Sequence, residues 1–226
     1  MKKNRMAQQR KQTEPAKSPD GFTLVEILIT MLISSFILAA AFTIFANYSR
    51  TNTIQTVTTD IQQDIRAGIS FMEQDIRNAG LNPRELTTGV GFTAASSTTF
   101  TFNSDNDFNG LVAVDDLSTA GVDETVTSPD EQITYTFNAV AGTLTRTNLA
   151  GTQTLLNNVI NIAPNLTRFQ YFDTRNNLIA GDPIPAASLE NIRSVNIQIS
   201  LSEPAGQYGM LSRTIQTRVY CRNLNL

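Results

Sequence analysis

The sequence predicts an α+β protein in which one long N-terminal helix, its first half transmembrane, packs on a C-terminal head of antiparallel β-sheet. Three observations support this prediction. No proline occurs over residues 22–79, and apolar residues recur there at steps of three and four, as in a helix. After Pro83 the pattern changes to the period-two alternation that is typical of strands. The predicted boundaries are a leader at 1–21, the long helix at 22–82 and the head at 83–226.

The leader is polar and basic, with six basic side chains against two acidic ones over residues 1–21. A basic segment that precedes an apolar span stays in the cytoplasm. From Phe22 onward the chain has 11 Arg, no Lys and 18 acidic residues. We therefore expect an acidic head on the far side of the membrane, where it offers no basic surface for nucleic acid.

Residues 22–46 contain one ionisable side chain, Glu26. At about 1.5 Å of rise per residue they make a helix of roughly 37 Å, enough to cross a hydrocarbon core of about 30 Å. This stretch is therefore predicted to span a membrane. A carboxylate so close to lipid is costly and is usually explained by a partner.

The run Gly21-Phe22-Thr23-Leu24-Val25-Glu26, between a basic leader and an apolar helix, resembles the class III signal of type IV pilins and type II secretion pseudopilins. The resemblance implies the type IV pilin fold, cleavage by a prepilin peptidase after Gly21 and N-methylation of Phe22. It also implies that Glu26 pairs with the N-terminal amine of a neighbouring subunit in the fibre. An ordinary signal anchor in which Glu26 has no role is the alternative.

The second half of the predicted helix has a single apolar stripe, which should pack against the head. The stripe consists of Ile54, Val57, Ile61, Ile65, Ile69, Met72 and Ile76. Gly80 and Pro83 follow as a usual helix stop. Two helices with a break at 47–53, where Asn, Ser and Thr cluster, are the alternative.

Two further segments resemble one branch of this family. Residues 67–84, with the step Asp75-Ile76-Arg77, resemble the end of the long helix in PilW-type minor pilins and, more loosely, in J-type pseudopilins. Residues 217–224 resemble the closing strand of PilW-type proteins. Capping chemistry alone also favours Arg and Gly at a helix end.

Alternating patterns in the head predict six strands, of which the second and third form a hairpin through a loop at 138–142. The predicted strands are 98–102, 132–137, 143–147, 166–173, 191–202 and 211–221. They should form an antiparallel sheet with one face on the helix stripe, because a half-buried sheet needs an apolar cover.

An acidic run in the head matches the opening of a calcium loop, D-x-[DN]-x-[DN]-G. The predicted ligands are Asp105, Asp107, Asn109, the backbone carbonyl of Leu111, and Asp116 at the twelfth position. Carboxylate and amide oxygens suit Ca²⁺. A solvated hairpin tip or an Asx-turn uses the same residue types without a metal. Ca²⁺ is thus a candidate ligand, and no cofactor is otherwise required.

The composition argues against an enzyme. The chain has no His and one Cys, Cys221, so it lacks Ser-His and Cys-His pairs and an imidazole zinc site. Cys221 lies in a predicted strand beside Val219 and Ile215, where a small buried apolar residue is expected.

Three functions remain open. The first is a minor type IV pilin, PilW-like, that helps to start pilus assembly at or near the fibre tip. The second is the J-type pseudopilin of a type II secretion system, and the third is an adhesin carried on a pilin anchor. Expected partners of a pilin are the prepilin peptidase, other minor pilins, the major pilin and the inner-membrane assembly platform. The chain would cross the inner membrane once, with a periplasmic head, before it enters a pilus or pseudopilus.

Overall fold

The computed structural model describes residues 21–82, 90–106, 108 and 130–225. The chain divides into two compact units, Met1–Ser49 and Arg50–Leu226. Its helices are α1 (Leu24–Asn78) and α2 (Ala186–Leu189), with 3-10 turns at Gly206–Tyr208 and Asn223–Asn225. Its strands are β1 (Gly91–Ala95), β2 (Thr99–Asn103), β3 (Gln132–Asn138), β4 (Thr143–Asn148), β5 (Gly151–Leu156), β6 (Arg168–Phe172), β7 (Ser194–Pro204) and β8 (Met210–Tyr220).

Helix α1 runs through residues 47–53 without interruption, so the two-helix alternative is wrong. The helix ends at Asn78, four residues before the predicted boundary at 82. Gly80 explains the early end, because its φ of 78° is the left-handed conformation that terminates helices. Its N–H donates to the carbonyl of Asn103 at 3.0 Å, which directs the chain toward β2. A side chain here would also collide with Leu224, whose Cδ2 would lie 2.2 Å from an added Cβ.

The apolar stripe of α1 forms one wall of the core in the second unit, as predicted. Ile61, Ile65, Met72 and Ile76 are completely buried, and Ile69 nearly so. Ile54 and Val57, nearer the start of this unit, are half-buried. The α+β arrangement, with a long helix packed on antiparallel strands, is thereby confirmed.

The first five strands form one antiparallel sheet in the order β1-β2-β3-β4-β5. Alternate residues face the core and include Phe100, Phe102, Ile133, Tyr135 and Phe137. Aromatic rings cluster on this face, with Phe100 stacked on Tyr135 at 5.2 Å and edge-on to Phe169 at 4.8 Å. Such contacts stabilise a core beyond the area that they bury.

Threonines line the other face of this sheet in register. Thr99 lies opposite Thr136, which lies opposite Thr145, which lies opposite Thr154. The hydroxyls of Thr99 and Thr136 are 3.0 Å apart and hydrogen-bonded. β-branched side chains with paired hydroxyls favour strands, so this face supports the sheet without an apolar cover.

The remaining strands form a second antiparallel sheet in the order β6-β7-β8. The prediction of one sheet is therefore wrong, because alternation shows which face of a strand is buried and not which strands are neighbours. β1 and β5 were not predicted. β7 begins at Ser194 and not at 191, since α2 and the turn after it occupy the preceding residues. Val195, Ile197, Ile199 and Leu201 of β7 all reach the core, as their alternation predicts.

Candidate processing and assembly site

The predicted cleavage site lies just before the first residue of α1. Gly21, Phe22 and Thr23 have no regular secondary structure, and the helix begins at Leu24. Phe22 is 86% exposed, and a Cβ added at Gly21 would meet nothing within 4 Å. The Gly21–Phe22 bond is therefore accessible on irregular backbone.

Glu26 folds back onto the start of the helix and caps it. Thr23 donates its N–H to Glu26 Oε2 at 2.9 Å and its hydroxyl to the same oxygen at 3.0 Å. In return the Glu26 N–H donates to Thr23 Oγ1 at 3.2 Å. This is a capping box, which satisfies backbone donors that a helix start leaves without partners. The Thr-x-x-Glu spacing is its signature in the sequence and was not among the predicted features.

The capping box uses one oxygen of the carboxylate. The hydrogen bonds that the described residues donate to the Glu26 carboxylate both reach Oε2, and the side chain is exposed. Oε1 can thus accept a hydrogen bond from another molecule while the cap stays in place. The cap and an intermolecular pair are compatible roles for one side chain.

Helix residues 27–46 present a mostly apolar surface. Every residue over 24–49 is exposed, including Phe36 (69%) and Phe42 (72%). Three hydroxyl groups of this segment bond to the helix itself: Thr30, Ser35 and Thr43 donate to backbone carbonyls of the same helix at 2.7–2.9 Å. Such bonds remove the penalty of placing hydroxyls in apolar surroundings. By length and composition α1 can cross a membrane.

Polar residues tie α1 to the first sheet within the second unit. Arg146 of β4 donates from Nε to Asp75 Oδ2 and from Nη2 to Asp130 Oδ1, both at 2.7 Å. The Tyr135 hydroxyl of β3 donates to Asp75 Oδ2 at 2.5 Å. Burial, with the carboxylate of Asp75, raises the pKa of Tyr135 far above its usual value. Asp75 was predicted only as part of the helix end, because no local pattern pairs it with strands about 60 residues away.

One of the predicted calcium ligands lies in the described part of the chain. Asp105 is completely buried and donates its N–H to the carbonyl of Leu81 at 2.8 Å. This burial differs from the solvated hairpin tip that was the alternative. Asp107, Asn109, Leu111 and Asp116 lie outside the described residues. Among the described residues no three His, Cys, Asp or Glu side chains could together hold a metal, so calcium binding stays a prediction.

Cys221 is buried, as predicted, with 1% of its surface exposed. Burial raises the pKa of its thiol to about 12, and the charge of Arg193 offsets only part of that rise. The thiol is therefore protonated at neutral pH and is a poor nucleophile, because the thiolate is the reactive form.

Comparison with known proteins identifies the N-terminal motif. The family model of the prokaryotic N-terminal methylation motif matches residues 17–42, which include Gly21, Phe22 and Glu26. The class III prepilin signal is thereby confirmed, and the chain is type IV pilin-like in this segment. The motif and the long apolar helix fit membrane anchoring.

Two further comparisons concern the whole chain. No curated protein sequence matches it. Among solved structures it is similar to a type IV-like pilin from Thermus thermophilus, with 14% identity and a TM-score of 0.41. That likeness covers 72% of this chain and 97% of the other.

Proposed function

We propose that this protein is a minor type IV pilin of the PilW-like kind, which helps to initiate pilus assembly at or near the fibre tip. The observation that carries the proposal is the methylation motif at 17–42, joined to a helix whose apolar residues 24–49 are exposed all round. Such a surface needs lipid before assembly and other apolar helices afterwards. The role is structural and not enzymatic.

Processing is the first step of the proposed function. A prepilin peptidase cleaves the exposed Gly21–Phe22 bond on the cytoplasmic side and methylates the new amine of Phe22. The helix keeps the chain in the inner membrane in a single pass, with the head in the periplasm. Assembly partners are the platform in the inner membrane, other minor pilins and the major pilin.

Glu26 sets the position at which each subunit enters the fibre. The methylated amine of Phe22 carries a positive charge, and Oε1 of a neighbour's Glu26 can accept from it while Oε2 holds the cap. Both charges lose water in the fibre, so each needs the other, and removal of one leaves a buried charge without a partner. A subunit that leaves the bilayer therefore enters the fibre where the two charges meet.

The J-type pseudopilin of a type II secretion system is the second candidate. It is compatible with the helix end Asp75-Ile76-Arg77, which resembles the J-type proteins as well, though more loosely than the PilW-type ones. Both candidates use the same processing and the same charge pair. The subunits that co-purify with the chain from membranes separate them, since pilus subunits support the first and a pseudopilus set supports the second.

The mass of the membrane-purified protein tests the processing step. In cells with an active prepilin peptidase we expect a chain that lacks residues 1–21 and carries one added methyl group. Gly21→Leu should keep the full-length mass, because a bulky residue hinders close approach of the peptidase to the bond. Full-length wild-type protein in such cells would refute the proposed function.

A further inference from the structure

Strand β8 leaves one whole side of its backbone open. Its eleven residues pair with β7 in a register without a bulge, and β8 is the last strand of its sheet. Among the described residues no backbone hydrogen bond joins Met210–Tyr220 to anything on the other side. An open strand edge is a template for a further strand.

The hydrogen bonds of β7 show which β8 residues point outward. Ser200 accepts from the N–H of Ile160, on the side of β7 away from β8. Backbone groups alternate sides along a strand, so Leu201 must face β8. Leu201 lies opposite Arg213, and Ser200 lies opposite Thr214. The N–H and C=O of Thr214 therefore point to the open side, and by the same alternation so do those of Ser212, Gln216 and Arg218.

The other sheet edges in the described part of the chain are protected. In the first sheet a bulge interrupts the β1–β2 register and another the β4–β5 register, and bulges discourage strand addition. In the second sheet the outer side of β6 is occupied, because Phe169 donates to Ser97 and Tyr171 accepts from Ile179. β8 is thus the long, regular and unprotected edge of the described structure.

The charge of this edge selects the kind of strand that could join it. From Ala205 onward the sequence has three Arg and no acidic residue, although the mature chain as a whole is acidic. Arg213 and Arg222 are exposed, whereas the guanidinium of Arg218 is held over the ring of Phe172 in β6, 3.8 Å from its centroid. Like charges would meet if the β8 strands of two copies paired, which disfavours a second copy and favours an acidic partner.

We propose that β8 accepts, as a fourth strand, an extended acidic segment of a neighbouring subunit of a different kind in the filament. Backbone hydrogen bonds from residues such as Thr214 and Gln216 hold the added strand, and the arginines select it by charge. The inference rests on the proposed function, since it requires a filament neighbour. It adds a contact made by the head, beyond the contacts of the N-terminal helix.

Photo-crosslinking of the full-length protein in cells that assemble filaments tests this proposal. A photoreactive amino acid at Gln216 should give an adduct with another filament subunit, and peptide mapping should place the contact in an acidic strand. The same probe at Thr154, an exposed residue of the bulged edge strand β5, should give no such adduct.

Two pairs of variants establish the cause of the adduct. Thr214→Pro removes an outward N–H and should abolish the adduct, whereas Thr214→Val keeps that N–H, loses only the hydroxyl bonds to Ser200 and Asn165, and should retain the adduct. Arg213→Glu should reduce the adduct about tenfold through like-charge repulsion, whereas Arg213→Lys should not.

The outcomes separate this inference from the proposed function. A processed chain that enters filaments without an adduct at Gln216, or with an adduct only to a second copy of itself, would overturn the strand addition alone. An adduct that persists unchanged in Thr214→Pro and Arg213→Glu would also overturn it. An unprocessed chain that stays out of filaments would overturn both proposals together.

Discussion

The two halves of α1 are both rich in apolar residues but use them differently. Over 24–49 the apolar residues surround the helix and are all exposed. From Arg50 onward most of them form one stripe that is buried against the head, and apart from the exposed Phe71 mainly polar residues occupy the other faces. A helix that is apolar all round is stable only in lipid or among other helices, whereas an amphipathic one finds its cover within its own chain. The first half therefore depends on other molecules, and the second half does not.

Loss of the Glu26 charge should have the largest effect, because it removes the partner that the first half needs. We expect Glu26→Ala to be cleaved and retained in the membrane, but to be absent from filaments and from complexes with other subunits. Quantitative immunoblotting of sheared filaments and of co-purified partners measures this.

Glu26→Gln is the matched control for the cap. Its amide oxygen can still accept from Thr23, but it has no charge to pair with an amine. We expect it to fail in assembly like Glu26→Ala. Wild-type assembly of Glu26→Gln would mean that the cap, and not the charge, is what assembly needs. Wild-type assembly of both variants would leave Glu26 without an assembly role.

Truncation of one isoleucine in each half should separate their roles. Ile65 is completely buried against the head, whereas Ile33 is 53% exposed. We expect Ile65→Ala to lower the free energy of unfolding of the head by about 2–5 kcal/mol, because it leaves a cavity. Ile33→Ala should leave that free energy unchanged. The two variants are compared by chemical denaturation of the full-length protein in micelles, followed by near-ultraviolet circular dichroism. Equal losses of unfolding free energy in both variants would contradict the different roles of the two halves of α1.

Removal of the Tyr135 hydroxyl, which donates to Asp75, should lower the same free energy of unfolding by a smaller amount. Tyr135→Phe loses a hydrogen bond to a carboxylate, and we expect the free energy of unfolding to fall by about 1.5–3 kcal/mol. Tyr171→Phe loses a bond to the neutral carbonyl of Ser96 and should cost about 0.5–1.5 kcal/mol. The reverse order would show that Asp75 does not help to fix the second half of α1.

Acidification should have the smallest effect on the free energy of unfolding, and this effect should come from the protonation of Asp130. Burial opposes its ionisation, but hydrogen bonds from Asn148 and Arg146 outweigh burial and hold its pKa below the ordinary 3.8. Because the pKa is lower in the folded state, ionised Asp130 stabilises the fold. This contribution is present above pH 3.8 and is lost as the pH falls through the folded-state pKa. Because the Asp130 side chain is 44% exposed, we expect its ionisation to contribute less than about 1 kcal/mol to the free energy of unfolding. Asp130→Asn should flatten this part of the pH profile, and an unchanged profile would contradict the assignment.

Local patterns determined much of this protein. The stripe from Ile61 to Ile76, the alternation of β3 and β7, and the run from Gly21 to Glu26 are features of near neighbours in sequence, and the structure confirms the helix and strands that they predict. The hydrophobic effect acts on each segment separately, so a period of 3.6 or 2 suffices to show which face is buried.

Only the tertiary structure decided how the strands divide into two sheets, that Asp75 meets Arg146 and Tyr135, and that the outer edge of β8 is open within the described part of the chain. These features depend on contacts between residues far apart in the chain, where many pairings satisfy the same alternation. The packing of the whole head selects one of them, because its aromatic core and its buried charges must all find partners at once.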